Sequence, residues 1–118
     1  MEQKFIIGDI VMYKNRIHTI IDISASNGYK LSDVRNPVNP VRLSGVPLTT
    51  EILEKNGWVK DKEDCINDSY HLHLCGKYDR FSVYKVVNDN IVWLTDVRNV
   101  SDLQHLLFGL GLSSKMEV

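Results

Sequence analysis

The chain has 118 residues, of which 43% are hydrophobic and 25% are charged. These values are typical of globular proteins and exclude a disordered tail or a fibrous repeat. The formal net charge is -1, so no global positive field draws the protein to nucleic acid or to an anionic membrane. At this length we expect one compact domain, or two small subdomains that share a boundary.

The N-terminal segment predicts a cytoplasmic protein. Met1–Lys4 are followed by only three apolar residues before Gly8, which is too short a run for a signal peptide. No apolar run approaches the length of a membrane span. We therefore expect the protein to remain in the cytoplasm, with Cys65 and Cys75 as free thiols rather than a disulfide.

The first part of the chain has the pattern of short β-strands. Two runs rich in β-branched residues flank Lys14-Asn15, which predicts a hairpin, and Asn27-Gly28 predicts a further turn. The predicted strands cover residues 5–13, 16–23, 29–34 and 41–43. Four or five short strands joined by tight turns predict a small SH3-like β-barrel.

A short connecting helix is predicted after Pro47. Thr49 has the side chain of an N-cap, and Gly57 is a natural stop. Trp58 then lies where it can fold back onto Leu53. We interpret this helix as the joint between an N-terminal and a C-terminal subdomain.

Three antiparallel strands are predicted beyond a charged loop at residues 61–64. Alternating apolar and polar residues define them, and turn-forming residues separate them. The predicted strands cover residues 69–74, 80–87 and 91–94. The predicted inner face contains Tyr70, Leu72, Leu74, Phe81 and Val83. Trp58 and Trp93 are also expected in the core.

The most regular helical period lies in residues 100–112. One face carries a leucine stripe, formed by Leu103, Leu106, Leu107 and Leu110. Ser101 is predicted to cap this helix and Gly111 to end it. A helix of about three turns is marginal alone in water, so the stripe is expected to pack on the strands.

Together these elements predict an α+β protein. Residues 1–46 form the SH3-like barrel. Residues 47–118 form the connecting helix and a three-stranded antiparallel meander, which the C-terminal helix covers. The two halves are expected to share one core.

Three stretches of the chain resemble a known family. Residues 7–13, IGDIVMY, are similar to its "IGNLVYY" start. Residues 46–58 resemble its "PIPLTEEWLLKFGF" segment, and residues 100–112 resemble its "VHQLQNLYFALTGEEL" ending. The family comprises small uncharacterised proteins of Bacteroidetes and of their phages and mobile elements. The resemblance implies a small soluble accessory protein of phage or mobile-element context, and it implies no established activity.

His71, His73 and Cys75 form one candidate reactive cluster, because alternate residues of a strand point to the same side. Imidazole and thiolate are zinc ligands, but the paired C-x₂₋₄-C or H-x₃₋₅-H spacing of structural zinc sites is missing here. We therefore expect neither a metal nor another cofactor. A small metal-dependent or cysteine-dependent enzyme that uses these three residues remains the alternative.

The outer side of the predicted meander is the main candidate binding surface. It gathers cationic, aromatic and hydroxyl side chains, with Lys77 and Tyr78 at its tip. The predicted binding residues are His71, His73, Arg80, Ser82 and Tyr84. Such groups together could hold a nucleotide, a phosphate or an acidic protein loop. A plain solvated sheet face is the alternative. A second candidate surface in the N-terminal half comprises Asn27, Gly28, Tyr29 and Arg35.

The sequence thus predicts a non-enzymatic binding module of phage or mobile-element origin. It is expected to act on a host protein or to sequester a small anionic, nucleotide-like ligand. Neither nucleic acid nor a membrane is expected as a partner. A structural or assembly component that associates with itself through edge strands is a further alternative.

Overall fold

The computed structural model describes residues 5–24 and 28–118, without the side chain of Ser24. The chain divides into two compact units, residues 1–46 and residues 47–118. Each unit contains its own antiparallel sheet. Met1–Lys4 and the first residue of the predicted Asn27-Gly28 turn lie outside the described residues.

The first unit begins with the predicted hairpin. Its elements are β1 (Ile10–Tyr13), β2 (Arg16–Ser24), β3 (Gly28–Leu31), a 3₁₀ helix (Pro40–Arg42) and β4 (Ser44–Gly45). Lys14 and Asn15 have φ angles of 49° and 62°. Two consecutive positive φ angles are what a type I′ turn requires, and this turn matches the twist of the two strands it joins. The hairpin prediction is therefore confirmed.

The predicted SH3-like barrel is wrong. The four strands lie in the order β3-β2-β1-β4, and the described residues contain no closed barrel. The segment expected as a strand at residues 41–43 instead lies largely in the 3₁₀ helix, where the Asn39 side chain accepts a hydrogen bond from the Val41 N–H at 3.1 Å. Pro40 supplies the fixed φ that suits a first helical turn. The two-residue β4 offers little edge for closing a barrel.

The core of the first unit lies on one side of this sheet. Its buried apolar residues are Phe5, Val11, Ile20, Leu31, Val38 and Leu43. Two buried polar side chains are hydrogen-bonded. Asp9 accepts from the Ile6 N–H at 2.9 Å, and the His18 Nδ1 donates to the Ser32 carbonyl at 2.8 Å. Burial of these groups is therefore compensated.

The second unit contains a five-stranded meander, so the prediction of three strands is wrong. Its strands are β5 (Val59–Asp61), β6 (Asp64–Asn67), β7 (Leu72–Gly76), β8 (Phe81–Val87) and β9 (Asn90–Val97), paired in that order. The sequence predicts a loop at residues 61–64, but Asp61 ends β5 and Asp64 begins β6, and Lys62 lies in the turn between them with a φ of 58°. All three residues of β5 are exposed, so this strand has no alternating hydrophobic pattern.

One face of the five-stranded sheet is buried, and we refer to it as the inner face. Its buried residues are Cys65, Leu72, Leu74, Phe81, Val83 and Val97. Four of the five predicted inner-face residues are among them. The fifth, Tyr70, lies in the turn before β7. The helices α1 (Thr50–Lys55) and α2 (Val100–Gly109) pack against opposite ends of the sheet, α1 on β5 and β6 and α2 on β9.

The two helices begin at different kinds of cap. Thr49 caps α1 as predicted, because its hydroxyl accepts the Ile52 N–H at 3.2 Å. The predicted Ser101 cap of α2 is wrong, since the N-cap is Asn99 and the Asp102 carboxylate accepts its N–H at 3.1 Å. Ser101 is fully buried within the first turn. Within the described residues, no helix is both long enough and apolar enough to cross a membrane.

Both helices end at a glycine in the left-handed region, as predicted. The φ angles are 87° at Gly57 and 75° at Gly111. The residue after each glycine donates its N–H to a carbonyl of the last turn, Trp58 to Leu53 at 3.1 Å and Leu112 to Leu107 at 2.9 Å. These are Schellman motifs, in which glycine avoids the steric cost of a positive φ.

Side-chain amides hold the C-terminal tail. The Asn56 side chain donates to the Glu117 carbonyl and accepts the Glu117 N–H, both at 2.8 Å. The buried Gln104 side chain donates to the Ser114 carbonyl at 3.1 Å. Met116, between these two anchors, is buried. The tail is therefore part of the second unit.

The two glycines at the end of α2 provide a matched pair of substitutions. Gly111→Ala is expected to lower the free energy of unfolding by about 1 kcal/mol, because alanine disfavours a positive φ. Gly109→Ala is expected to raise it by up to about 1 kcal/mol, because this residue is helical. An added Cβ meets no atom within 4 Å at either position, so conformation alone is tested.

Urea unfolding followed by tryptophan fluorescence measures both effects, since both tryptophans belong to the second unit. A Gly111→Ala variant as stable as Gly109→Ala would contradict the assignment of this C-cap.

Candidate functional site

The face of the five-stranded sheet opposite the inner face carries most of the polar side chains, and we refer to it as the outer face. Strand pairing places its residues in two rows. One row consists of Asp64, Cys75, Ser82 and Asp96, which are successive partners across β6 to β9. The other consists of Ile66, His73, Tyr84 and Trp93. Ile91 extends the second row along β9.

Three of the five predicted binding residues lie together on the outer face. His73 and Tyr84 are direct partners across β7 and β8, and Ser82 is in the neighbouring row. Arg80 precedes β8 and reaches the same surface through Asp96, with 3.6 Å between its Nε and the carboxylate. His71 lies in the turn before β7, with a φ of 56° and an exposed side chain, so the structure does not place it on a strand with His73.

Asp64 joins His73 to Cys75. The His73 Nε2 lies 3.0 Å from the Asp64 carboxylate, which also accepts a hydrogen bond from the Cys75 thiol. The hydrogen bond from His73 is the main reason that the pKa of Asp64 is lowered. The hydrogen bond to Asp64 is the main reason that the pKa of Cys75 is raised, and burial and the carboxylate charge act in the same direction.

This arrangement is the reverse of an activated thiol. A cysteine nucleophile needs a lowered pKa and a base that accepts its proton. Here the Cys75 thiol donates to a carboxylate, and that carboxylate also binds His73. The geometry therefore gives no support to cysteine catalysis.

The geometry also gives no support to a metal site. Among residues 5–24 and 28–118, no group of three or more His, Cys, Asp or Glu side chains is arranged to hold a metal ion. Cys65 is fully buried on the inner face, opposite His73 and Cys75. His71 is separated from them by the backbone turn described above.

Asp96 is the centre of a second hydrogen-bonded group. The Ser82 hydroxyl donates to its carboxylate at 2.8 Å, and the Trp93 indole N–H donates to the same oxygen at 3.2 Å. These two hydrogen bonds, in that order, lower the pKa of Asp96, and the charges of Arg80 and Arg98 contribute as well. The indole ring is thereby fixed in orientation while 57% of it remains exposed.

The polar pairs lie beside exposed apolar surface. Asp64, His73, Cys75, Tyr84 and Ile91 line a shallow pocket of about 260 Å³. Ile91 is 62% exposed. The basic side chains of this face, His73 and Arg80, already contact carboxylates. The face therefore offers aromatic and aliphatic contacts more than free positive charge.

Sequence reasoning missed Asp64, Ile91, Trp93 and Asp96 as members of this face. The run of charged residues 61–64 predicts a loop at Asp64, whereas in the structure Asp64 begins β6. The prediction that Trp93 is a core residue is wrong, whereas Trp58 is buried as expected. The alternation of residues along β9 does not predict that Trp93 and Asp96 share a face. A bulge in β9, opposite Val83 and Tyr84 of β8, shifts the alternation between them.

The second predicted surface belongs to the first unit. Asn27 lies outside the described residues. Tyr29 is half-buried in β3 and pairs with Val38, and Arg35 is exposed in the following loop. No described contact joins Tyr29 and Arg35 into a site.

No protein-family model matches the chain, and no curated protein or solved structure matches it either.

The Asp64–Cys75 contact predicts thiol reactivity. In Asp64→Asn the negative charge that raises the Cys75 pKa is lost, so more thiolate forms and alkylation at a fixed, mildly alkaline pH is expected to be faster. Asp96→Asn is the control and should leave the rate at Cys75 unchanged. Mass mapping separates Cys75 from the buried Cys65. An equal or slower rate in Asp64→Asn would contradict the hydrogen bond.

The lowered pKa of Asp96 predicts that this residue contributes to the loss of stability of the second unit in acid. Its folded pKa lies below the ordinary value of 3.8, so its stabilising effect is present above that value and is lost as pH falls through the folded pKa. Asp96→Asn should be less stable at neutral pH and should lose less stability between about pH 5 and pH 2.

Urea unfolding at several pH values, followed by tryptophan fluorescence, measures this slope. Asp61→Asn is the control, because Asp61 forms no ion pair with a described residue. A pH profile for Asp96→Asn that runs parallel to the wild type would refute the prediction.

Proposed function

We propose that the protein is a non-enzymatic binding module that pairs an extended segment of a partner protein with the β9 edge, next to the outer face. The observation that carries this proposal is the exposed start of β9. Residues 90–93 are all exposed, and three of them are apolar, Ile91, Val92 and Trp93. An uncovered apolar edge of this kind is a template for another strand.

The strand order supports β9 as the site of pairing. β9 pairs with β8 on one side and with no described strand on the other. Natural edges are usually protected by lysine, proline or very short strands. The opposite edge follows this rule, since β5 has three residues and carries Lys60 and Asp61. Residues 90–93 carry neither a charge nor a proline.

The outer face supplies specific side-chain contacts for such a segment. Alternate side chains of an added strand would point toward Tyr84, Ile91 and Trp93. Aromatic residues held in place are common anchors of protein interfaces, because little side-chain freedom is lost on binding. The hydrogen bond from Trp93 to Asp96 supplies this fixation.

The charges favour an apolar or basic segment over an anionic one at this face. His73 and Arg80 are engaged by Asp64 and Asp96, both of which remain partly accessible. An acidic ligand would have to compete with these carboxylates. The raised pKa of Cys75 likewise favours a binding role over the enzymatic alternative.

The resemblance to proteins of Bacteroidetes phages and mobile elements supports the biological setting that we propose. The module would act in the bacterial cytoplasm on a protein of the host. Pairing of β9 with the β9 of a second copy is the assembly alternative, and the same edge supports it.

The test compares Ile91→Asp with Val59→Asp, which places the same charge at the opposite edge of the same sheet. The tagged full-length chain is incubated with lysate of a Bacteroidetes host, and retained proteins are quantified by mass spectrometry. We expect at least one protein that wild type and Val59→Asp retain equally and that Ile91→Asp retains at least tenfold less. Circular dichroism verifies that both variants are folded.

Equal retention by both variants would rule out the β9 edge as the interface. Light scattering of the purified chain tests the assembly alternative, because it measures self-association. Self-association that Ile91→Asp abolishes would replace the host partner with a second copy of the chain.

A further inference from the structure

A second concave surface lies where the β5–β6 turn meets the β7–β8 turn, and we refer to it as the lysine groove. Its volume is about 430 Å³. Its lining includes Lys60, Lys62, Glu63, Lys77, Tyr78 and Phe81. Lys60 is paired with the buried Cys65 and Phe81 is buried, so the groove opens beside the inner face and uses none of the outer-face residues.

Backbone geometry brings the lysines together. The Gly76 N–H donates to the Glu63 carbonyl at 3.2 Å. A Cβ at residue 76 would clash with that oxygen, so only glycine permits this approach of the two turns. Lys62 has a positive φ in the first turn, and Lys77 directly follows Gly76 in the second.

The groove has an excess of positive charge in a chain whose net charge is -1. Lys60, Lys62 and Lys77 form no ion pair with any residue of the described chain. Glu63 is the one acidic residue among those that line the groove. Three ammonium groups beside one carboxylate repel one another, and a multiply charged anion would relieve this repulsion. Lysine is a common phosphate ligand.

Aromatic surface accompanies the lysines. The Tyr78 side chain is fully exposed, and Phe81 forms part of the groove lining. An exposed aromatic ring next to cationic groups suits a planar base joined to phosphate, because the base stacks on the ring. The volume falls at the lower end of the range of small-molecule sites, about 300–1,000 Å³. This size favours a single nucleotide over an extended strand.

We infer that the lysine groove binds a nucleotide, with its phosphates held by Lys60, Lys62 and Lys77 and its base stacked on Tyr78. This site is separate from the β9 edge. The inference therefore does not depend on the proposed protein partner.

The test measures calorimetric binding of ATP and of inorganic tripolyphosphate to the full-length chain at low ionic strength. The double variant Lys62→Gln/Lys77→Gln should weaken both ligands at least tenfold. Lys30→Gln is the charge control, because Lys30 is an exposed residue of β3 in the first unit. Tyr78→Ala should weaken ATP about tenfold and leave tripolyphosphate unchanged, since stacking concerns the base alone.

The inference is overturned if wild type binds neither ligand at millimolar concentration, or if the double variant binds ATP as the wild type does. A ten-residue oligo-dT that binds more tightly than ATP and covers several nucleotides would also overturn it, in favour of single-stranded nucleic acid. Circular dichroism of each variant ensures that lost binding is not lost folding.

Discussion

The backbone contact between Gly76 and Glu63 is the constraint that the Asp64–Cys75 pair of the outer face and the lysine groove share. It joins the β5–β6 turn to the end of β7, with the Gly76 N–H 3.2 Å from the Glu63 carbonyl. On the outer face this register places Asp64 opposite Cys75. At the groove it places Lys62 near Lys77, because Lys62 directly precedes Glu63 and Lys77 directly follows Gly76. A side chain at residue 76 would force the turns apart and disturb both surfaces.

The two surfaces of the second unit differ in how their charges are balanced. On the outer face the basic side chains have carboxylate partners, as His73 has Asp64 and Arg80 has Asp96. Such a surface contributes contacts and hydrogen bonds, and an exposed pair adds little free energy. The lysine groove has unpaired cations, so electrostatic attraction governs what it binds. One sheet therefore carries both the protein-binding surface that we propose and the separate anion site that we infer.

Sequence reasoning succeeded where a local interaction decides the structure. Thr49, Gly57 and Gly111 cap their helices through contacts within a few residues, and Lys14-Asn15 forms its turn in the same way. Leu72, Leu74 and Val83 alternate clearly because their strands have one buried face. The barrel was wrong because strand patterns do not specify which edges pair. The β5–β6 hairpin was missed because its strands bury one side chain, Cys65, and the site carboxylate Asp64 was lost with it.

The stability of the fold does not explain why the edge of β9 exposes apolar side chains. Trp58 and Trp93 are equally apolar, yet one is buried against a helix end and the other is held at the surface by Asp96. With a net charge of -1, copies of the chain repel one another weakly, so self-pairing competes with any partner. The bulge after Trp93 limits the uninterrupted edge to residues 90–93. A strand paired with these four residues forms a short ladder, so side-chain contacts in the pocket beside Tyr84 must contribute to binding. The partner that we propose is therefore one whose side chains fill this pocket.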